Sequence, residues 1–200
     1  MADDPRVRSP SASAWAGPGV PGRAGAAGPG VPGLADADQG WLREAIELST
    51  HCPPSRSAFS VGAVLVSAAG RVVATGYSRE RDPADHAEEV ALAKAGAADQ
   101  LAGADQLTAA AQLAGVTDLL AGATLYSSLE PCLRRASRPR PCAELIVAAG
   151  IRRVVVAWLE PPLFVPGGGA AWLRGAGVTV VEFPELAEKA RAVNARLLAE

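Results

Sequence analysis

The chain has 200 residues, 49% of them hydrophobic and 20% charged, with a formal net charge of −2. That length suits one domain of about 150 residues with an appendage, and such a domain buries enough surface to need no disulfide staples. The near-neutral balance argues against a polyanion-binding protein, three cysteines are too few for a secreted disulfide scaffold, and no apolar run reaches the roughly 18 residues of a membrane span. A secretory leader is not expected either, because the first residues lack a short apolar core.

Thirteen of the first 35 positions are Gly or Pro, and the hexapeptide Gly-Pro-Gly-Val-Pro-Gly occurs at 17–22 and again at 28–33. Such a segment cannot bury enough apolar surface to offset its ordering entropy, so residues 1–37 are predicted to be a disordered tail and 38–200 the folded domain. Each hexapeptide formally fits a glycine-rich dinucleotide fingerprint, but prolines stand inside it and no strand precedes it. Trp41, Leu42, Ala45, Ile46 and Leu48 share a helical face, and the helix is expected to end before Pro53-Pro54. Strands are expected over 61–66 and 71–77, joined by a turn at 67–70, and a helix over 86–95. The Ala/Leu-rich stretch 101–122 reads as helical, with a core or interface role. A third strand is expected at 123–129, a helix at 142–149 and a fourth strand at 153–159. A short helix at 169–175, a fifth strand at 178–183 and a closing helix at 185–198 complete the order. Strands 61–66 and 153–157 are apolar almost throughout, as when helices cover both sheet faces, which predicts a three-layer α/β sandwich.

Four residues carry chemistry only in combination: His86 and Glu88, then Cys132 after Pro131, and Cys142 after Pro141. Singly, a histidine at a helix start is a capping residue and a buried cysteine a small hydrophobe. Jointly they match the His-x-Glu, Pro-Cys, Cys pattern of zinc-dependent nucleobase deaminases. One imidazole and two thiolates fill three positions of the tetrahedron that zinc prefers and leave the fourth to water. Soft thiolates favour zinc over magnesium or calcium. Pro141 suits the first turn of a helix, which places Cys142 at the positive end of the helix dipole, where the thiolate is favoured. Glu88 is expected beside the open position as the proton carrier, whereas Glu89 reads as an ordinary acid of a first helical turn.

These residues, with the strings Val61-Gly62-Ala63-Val64-Leu65-Val66 and Leu129-Glu130-Pro131-Cys132, resemble the zinc-dependent cytidine/deoxycytidylate deaminase superfamily. Within it, the chain is most similar to the deaminase domain of the bifunctional riboflavin-biosynthesis deaminase/reductases. The likeness covers about residues 38–200. Nine residues separate Cys132 from Cys142, close to the long cysteine loop of the riboflavin branch and unlike the short spacing of nucleoside and nucleic-acid deaminases. The resemblance implies a cytidine-deaminase-like three-layer α/β/α sandwich around a five-stranded mixed sheet. It also implies one zinc ion per chain on His86, Cys132 and Cys142, with Glu88 catalytic. The implied reaction removes an exocyclic amine from a small phosphorylated pyrimidine, the diamino-ribosylamino-pyrimidinone 5′-phosphate of riboflavin biosynthesis. The cysteine loop carries Arg134, Arg135, Arg138 and Arg140, of which Arg138 and Arg134 are candidates for the phosphate or ring. A cytoplasmic homo-oligomer, a separate reductase partner, and no nucleic acid or membrane partner complete the expectation.

The chain departs from that family where Ala58-Phe59 stands in place of Asn-Pro, and at the 101–122 insertion. Two alternatives therefore stay open: a cytidine- or deoxycytidylate-type deaminase, and a non-catalytic paralogue with a structural zinc site closed by a fourth protein ligand. Smaller features read as structural. His51-Cys52 is expected to pack locally, and Gly167-Gly168-Gly169 to form a turn.

Overall fold

The computed structural model describes residues 33–96, 120, 122–164 and 167–199. Helix α1 runs Leu34–Ser49, four residues earlier than the sequence periodicity suggests. The four added residues, 34–37, are all exposed, so no apolar face announces them. Asp38, the first residue of the expected domain, is 3% exposed inside the helix. It accepts from Arg153 Nη1 at 2.9 Å and Nη2 at 2.6 Å, and from the Tyr126 hydroxyl at 2.8 Å. A polar residue thus occupies the core-facing row completed by Leu42, Ala45 and Ile46, and the apolar pattern begins one turn too late to reveal it. The tail proper and most of the 101–122 segment lie outside the described residues.

Five strands follow: β1 Gly62–Val66, β2 Val72–Tyr77, β3 Thr124–Ser127, β4 Arg153–Val156 and β5 Thr179–Glu182. They form one mixed sheet in the order β2-β1-β3-β4-β5. β1 runs antiparallel to β2 and β3, while β3, β4 and β5 are parallel. Every residue of β1 is buried, which agrees with its unbroken apolar reading. Helices α2 (Ala87–Lys94), α3 (Cys142–Ala148) and α4 (Gly169–Gly175) follow β2, β3 and β4 in the chain.

Two glycines show that helices cover both sheet faces. A Cβ on Gly62 would lie 2.1 Å from the Ala45 carbonyl oxygen of α1, and one on Gly76 would lie 2.4 Å from the Ala87 carbonyl oxygen of α2. Gly76 is the β2 partner of Ala63, one step along β1 from Gly62, so the two glycines face opposite sides of the sheet. No side chain fits either place. The architecture is the three-layer α/β/α sandwich with a five-stranded mixed sheet that the element order predicts.

The C-terminal segment is not one helix. A 3-10 turn at Pro184–Leu186 leads into α5 (Ala187–Val193), and after Asn194 the chain resumes as α6 (Ala195–Leu198). The Asn194 side chain explains the break. Its Nδ2 donates to the carbonyls of Ala190 and Ser60, and its Oδ1 accepts from the Ser60 N–H at 2.7 Å. Asn competes with the helix for backbone groups and here fastens the segment to the strand entering the sheet.

Candidate metal and active site

The parallel strands β3 and β4 end on the same side of the sheet, where α2 and α3 begin, which is where open α/β sheets place ligands. His86 is the N-cap of α2, with extended backbone dihedrals, and Glu88 lies in its first turn. Cys132 follows β3 and the segment Ser128–Pro131. Cys142 opens α3, with Pro141 one place earlier, at the N-cap. The Cys142 N–H points at the Cys132 sulfur, 3.5 Å away, so the helix start donates toward sulfur as the dipole argument requires.

The ligand atoms of His86, Cys132 and Cys142 all lie within 4.8 Å of one another. His86 Nδ1 stands 3.5 Å from each sulfur. A tetrahedral zinc with bonds of about 2.3 Å to sulfur and 2.0–2.1 Å to nitrogen sets N and S roughly 3.6 Å apart, so both nitrogen–sulfur sides of the triangle already have the required length. Its chemistry fits as well. Cys132 is acidified to about 4 by its hydrogen bond with Cys142, against the opposing effect of burial and with help from His86. Cys142 is pushed up by that same hydrogen bond and by complete burial. Two thiols that share one site in this way lose the first proton readily and the second with difficulty, and a divalent cation removes the difficulty. His86, Cys132 and Cys142 can hold zinc. Among the described residues this is the one such cluster, and no fourth protein ligand joins it.

Glu88 is 3% exposed and lies beside the cluster. Ser127, the last residue of β3, donates its hydroxyl to Glu88 Oε1 at 2.9 Å. Burial, and then the Cys132 charge, raise the Glu88 pKa above the ordinary carboxylate range. His86, Glu88 and Cys132 open on a cavity of about 600 Å³, also lined by Phe59, Arg79, Arg134, Arg135, Glu160 and Phe164. That size suits a small-molecule ligand.

The four loop arginines divide. Arg134 is exposed and lines the cavity. Arg138, the other candidate, is turned instead toward three carboxylates: Asp85 at 3.0 Å, and Asp82 and Glu89 at 3.4 Å. Arg135, not singled out in the sequence, has a side chain only 4% exposed and pairs with Glu89 at 2.9 Å. Glu89 is therefore more than an acid of a first turn, because it fastens α2 to the cysteine loop. Asp85, 3% exposed, accepts from the N–H groups of Arg81 and Asp82 as well as from Arg138, and so braces the turn that leads into His86. Arg140 is exposed.

Three further residues shape the cavity, none of them a candidate site residue in the sequence. Arg79 sits at φ 62° and straps the 53–60 segment down, donating to the carbonyls of Pro53 and Phe59. Phe59 packs edge-on against Trp158 and Phe164, with ring centroids 5.3 and 5.0 Å apart. Glu160 faces the same space, and burial, followed by the charges of Cys132, Glu130 and Glu88, raises its pKa to about 8. His51 and Cys52 stay apart from this site. Cys52 donates its thiol to the Val61 carbonyl at 3.4 Å, in keeping with local packing.

Comparison with known proteins agrees with this geometry. The model of the cytidine and deoxycytidylate deaminase zinc-binding region matches residues 35–158. The diaminohydroxyphosphoribosylamino-pyrimidine deaminase of Schizosaccharomyces pombe is 39% identical over 142 residues, which is 71% of this chain and 31% of that protein. The RibD structure from Acinetobacter baumannii superposes with a TM-score of 0.60 and 28% identity, covering 82% of this chain and 39% of the other. A C-terminally deleted Rib2 deaminase from Aspergillus oryzae gives 0.59 and 26%, covering 81% of this chain and 97% of the other. The chain spans about a third of the length of the curated relatives it matches. On the match that takes in His86, Cys132 and Cys142 and more than half of the sequence, the chain belongs to the cytidine and deoxycytidylate deaminase zinc-binding family.

Proposed function

We propose that this chain is a zinc-dependent hydrolytic deaminase acting on a small phosphorylated pyrimidine, the diaminohydroxy-phosphoribosylamino-pyrimidine named for its S. pombe relative. The observation that carries the reading is the triangle of His86, Cys132 and Cys142 with Glu88 beside it at the wall of one cavity. Bound there, zinc supplies the Lewis acidity that makes water nucleophilic at neutral pH. Overall, water adds to the amine-bearing ring carbon, a carbonyl replaces the C–NH₂ group, and ammonia leaves.

The chain's own residues do the rest. Ser127 holds Glu88 by Oε1, which leaves Oε2 to take a proton from water and return it to the ring nitrogen and the departing amine. Burial of Glu88 favours its protonated form, which suits a group that must also donate. Phe59 and Phe164 offer apolar faces to a planar ring. Arg134, exposed at the rim, is assigned the phosphate. Arg138 is assigned to bracing the loop, since three carboxylates already claim it. The open coordination triangle favours this reading over a closed structural zinc site. The same proposal takes the protein as a cytoplasmic homo-oligomer, supported by the family likeness and by three free cysteines. No helix among the described residues is long and apolar enough to cross a membrane.

The test is Glu88→Gln. Zinc content measured by metal analysis should stay near one per chain, while ammonia release from the diaminopyrimidine falls by about 10²–10⁴-fold. Retained turnover removes Glu88 from the mechanism. Faster ammonia release by the wild type from cytidine or deoxycytidylate than from the diaminopyrimidine replaces the substrate assignment.

A further inference from the structure

A second cavity of about 600 Å³ lies where the end of α1 meets α5 and α6, and it shares no lining residue with the cavity in front of Glu88. The segment between α1 and β1 supplies walls to both: residues 54–56 and 60 line the second cavity, whereas 57–59 line the first. The two differ in charge. Asp85, Glu88, Glu130 and Glu160 line the first, while the second is lined by Arg56 and Arg196 and by no acidic residue. Both arginines are exposed, and no ion pair among the described residues takes up either guanidinium.

The helix ends nearby do not need these cations. The Glu47 carbonyl accepts from the Thr50 N–H and hydroxyl, that of Leu48 from the His51 N–H, and that of Ser49 from the Cys52 N–H. At the end of α5 the Ala190 and Arg191 carbonyls accept from Asn194. The wall also offers little to a cationic ligand. Its one side-chain carbonyl, Asn194 Oδ1, is taken by the Ser60 N–H, and the Ser60 hydroxyl accepts from Arg79 Nη2. The Ser55 hydroxyl accepts from the Ser57 N–H and keeps its own proton to donate. Two guanidinium groups in a concave space without a carboxylate create a local positive potential. Their planar forks match phosphate oxygens, and a dianionic phosphate answers both charges at once. The volume exceeds what a bare ion fills, and Pro54, Val193 and Leu197 add apolar surface beside the charges.

We propose that this cavity is a second ligand site, which binds a small phosphate monoester. Arg56, Arg196 and the Ser55 hydroxyl hold the phosphate, and the organic body lies against Pro54 and Leu197. Neither the metal triangle nor Glu88 takes part, so the inference stands or falls apart from the deaminase reading.

The experiment is calorimetric titration of the zinc-loaded full chain with ribose 5-phosphate, compared with ribose, inorganic phosphate and malate. All proteins carry Arg134→Ala, which removes the phosphate group assigned to the first cavity, and the Tm of each is recorded. Ribose 5-phosphate should bind this background, and should bind about tenfold more weakly once Arg56→Ala and Arg196→Ala are added. Arg56→Lys with Arg196→Lys keeps the charge but loses the fork, and its affinity should fall between the two. Absent heat in the background protein, or equal affinity after the two alanine substitutions, overturns the site. Malate bound as tightly as ribose 5-phosphate overturns the phosphate class. Inorganic phosphate bound as tightly shows an adventitious ion only, which overturns the inference as well. If the alanine variant does not fold, phenylglyoxal labelling of wild-type arginines, read by peptide mass spectrometry, decides instead. Ribose 5-phosphate should slow the labelling of Arg56 and Arg196 severalfold, and unchanged labelling overturns the proposal.

Discussion

Two buried polar clusters sit on opposite faces of strand β3, anchored by adjacent residues. Tyr126 points toward α1 and joins Asp38 and Arg153, whereas Ser127 points toward α2 and joins Glu88 beside the metal triangle. The first cluster is closed: Asp38 accepts three hydrogen bonds, with both oxygens engaged. The second is open, with three convergent ligand atoms, a carboxylate held by one oxygen and a cavity of about 600 Å³ in front. A closed network spends its polarity on structure, and an open one keeps it for a ligand. Burial of charge therefore does not by itself mark a functional site; what marks it is polarity left over.

That contrast can be broken most forcefully at the metal triangle. Cys142→Ser should abolish zinc retention and ammonia release together, as read by metal analysis and a coupled ammonia assay, while circular dichroism keeps its α/β signature. In the closed cluster the reverse pattern is expected. Asp38→Ala leaves Arg153 uncompensated and should cost about 3 kcal/mol in urea unfolding, with kcat changed less than twofold at a temperature where the variant is folded. Ser127→Ala, on the open side, should lower kcat by about tenfold through a looser Glu88 and leave zinc content alone. A loss of stability without loss of rate in that variant would place Ser127 with the structural cluster instead. The smallest effect is alkaline. Burial, and then its hydrogen bond to Asp38, push the Tyr126 pKa up to about 12. Since the folded value lies above the unfolded value of about 10, this contribution is complete below pH 10 and is lost as pH rises toward 12. Stability should therefore fall more steeply with pH over that window in the wild type than in Tyr126→Phe, as measured by thermal melts.

The open cluster was legible in the sequence because zinc chemistry demands particular residue types, and His86, Glu88, Cys132 and Cys142 are rare enough in combination to stand out. Helix and strand order was legible for a related reason: apolar runs such as 62–66 have few other uses. The closed cluster was invisible, since Asp38 near a helix start reads as an ordinary dipole acid and its partners lie 88 and 115 residues away. Arg135 and Arg138 were unreadable for the same cause. Four arginines in one loop look alike until the fold sets Glu89, Asp85 and Asp82 against two of them. Glu160, within Leu-Glu-Pro-Pro, resembles a solvated turn, and only the fold places it at the cavity wall. The sequence reads as one continuous C-terminal helix because its periodicity continues through Asn194, and the break comes from that side chain's bonds to the distant backbone of Ser60 and to the Ala190 carbonyl.

The glycine of β2 that meets α2 carries a consequence for the metal. Gly76 lies against the carbonyl of Ala87, the residue directly after His86, so the separation between sheet and helix is also the ruler that sets the imidazole's height over the sulfurs. One added methyl group there would act as a shim beneath a ligand whose tolerance is a few tenths of an ångström. Zinc affinity in this fold thereby becomes a gauge of backbone spacing on the far side of the helix, at a residue that never touches the ion.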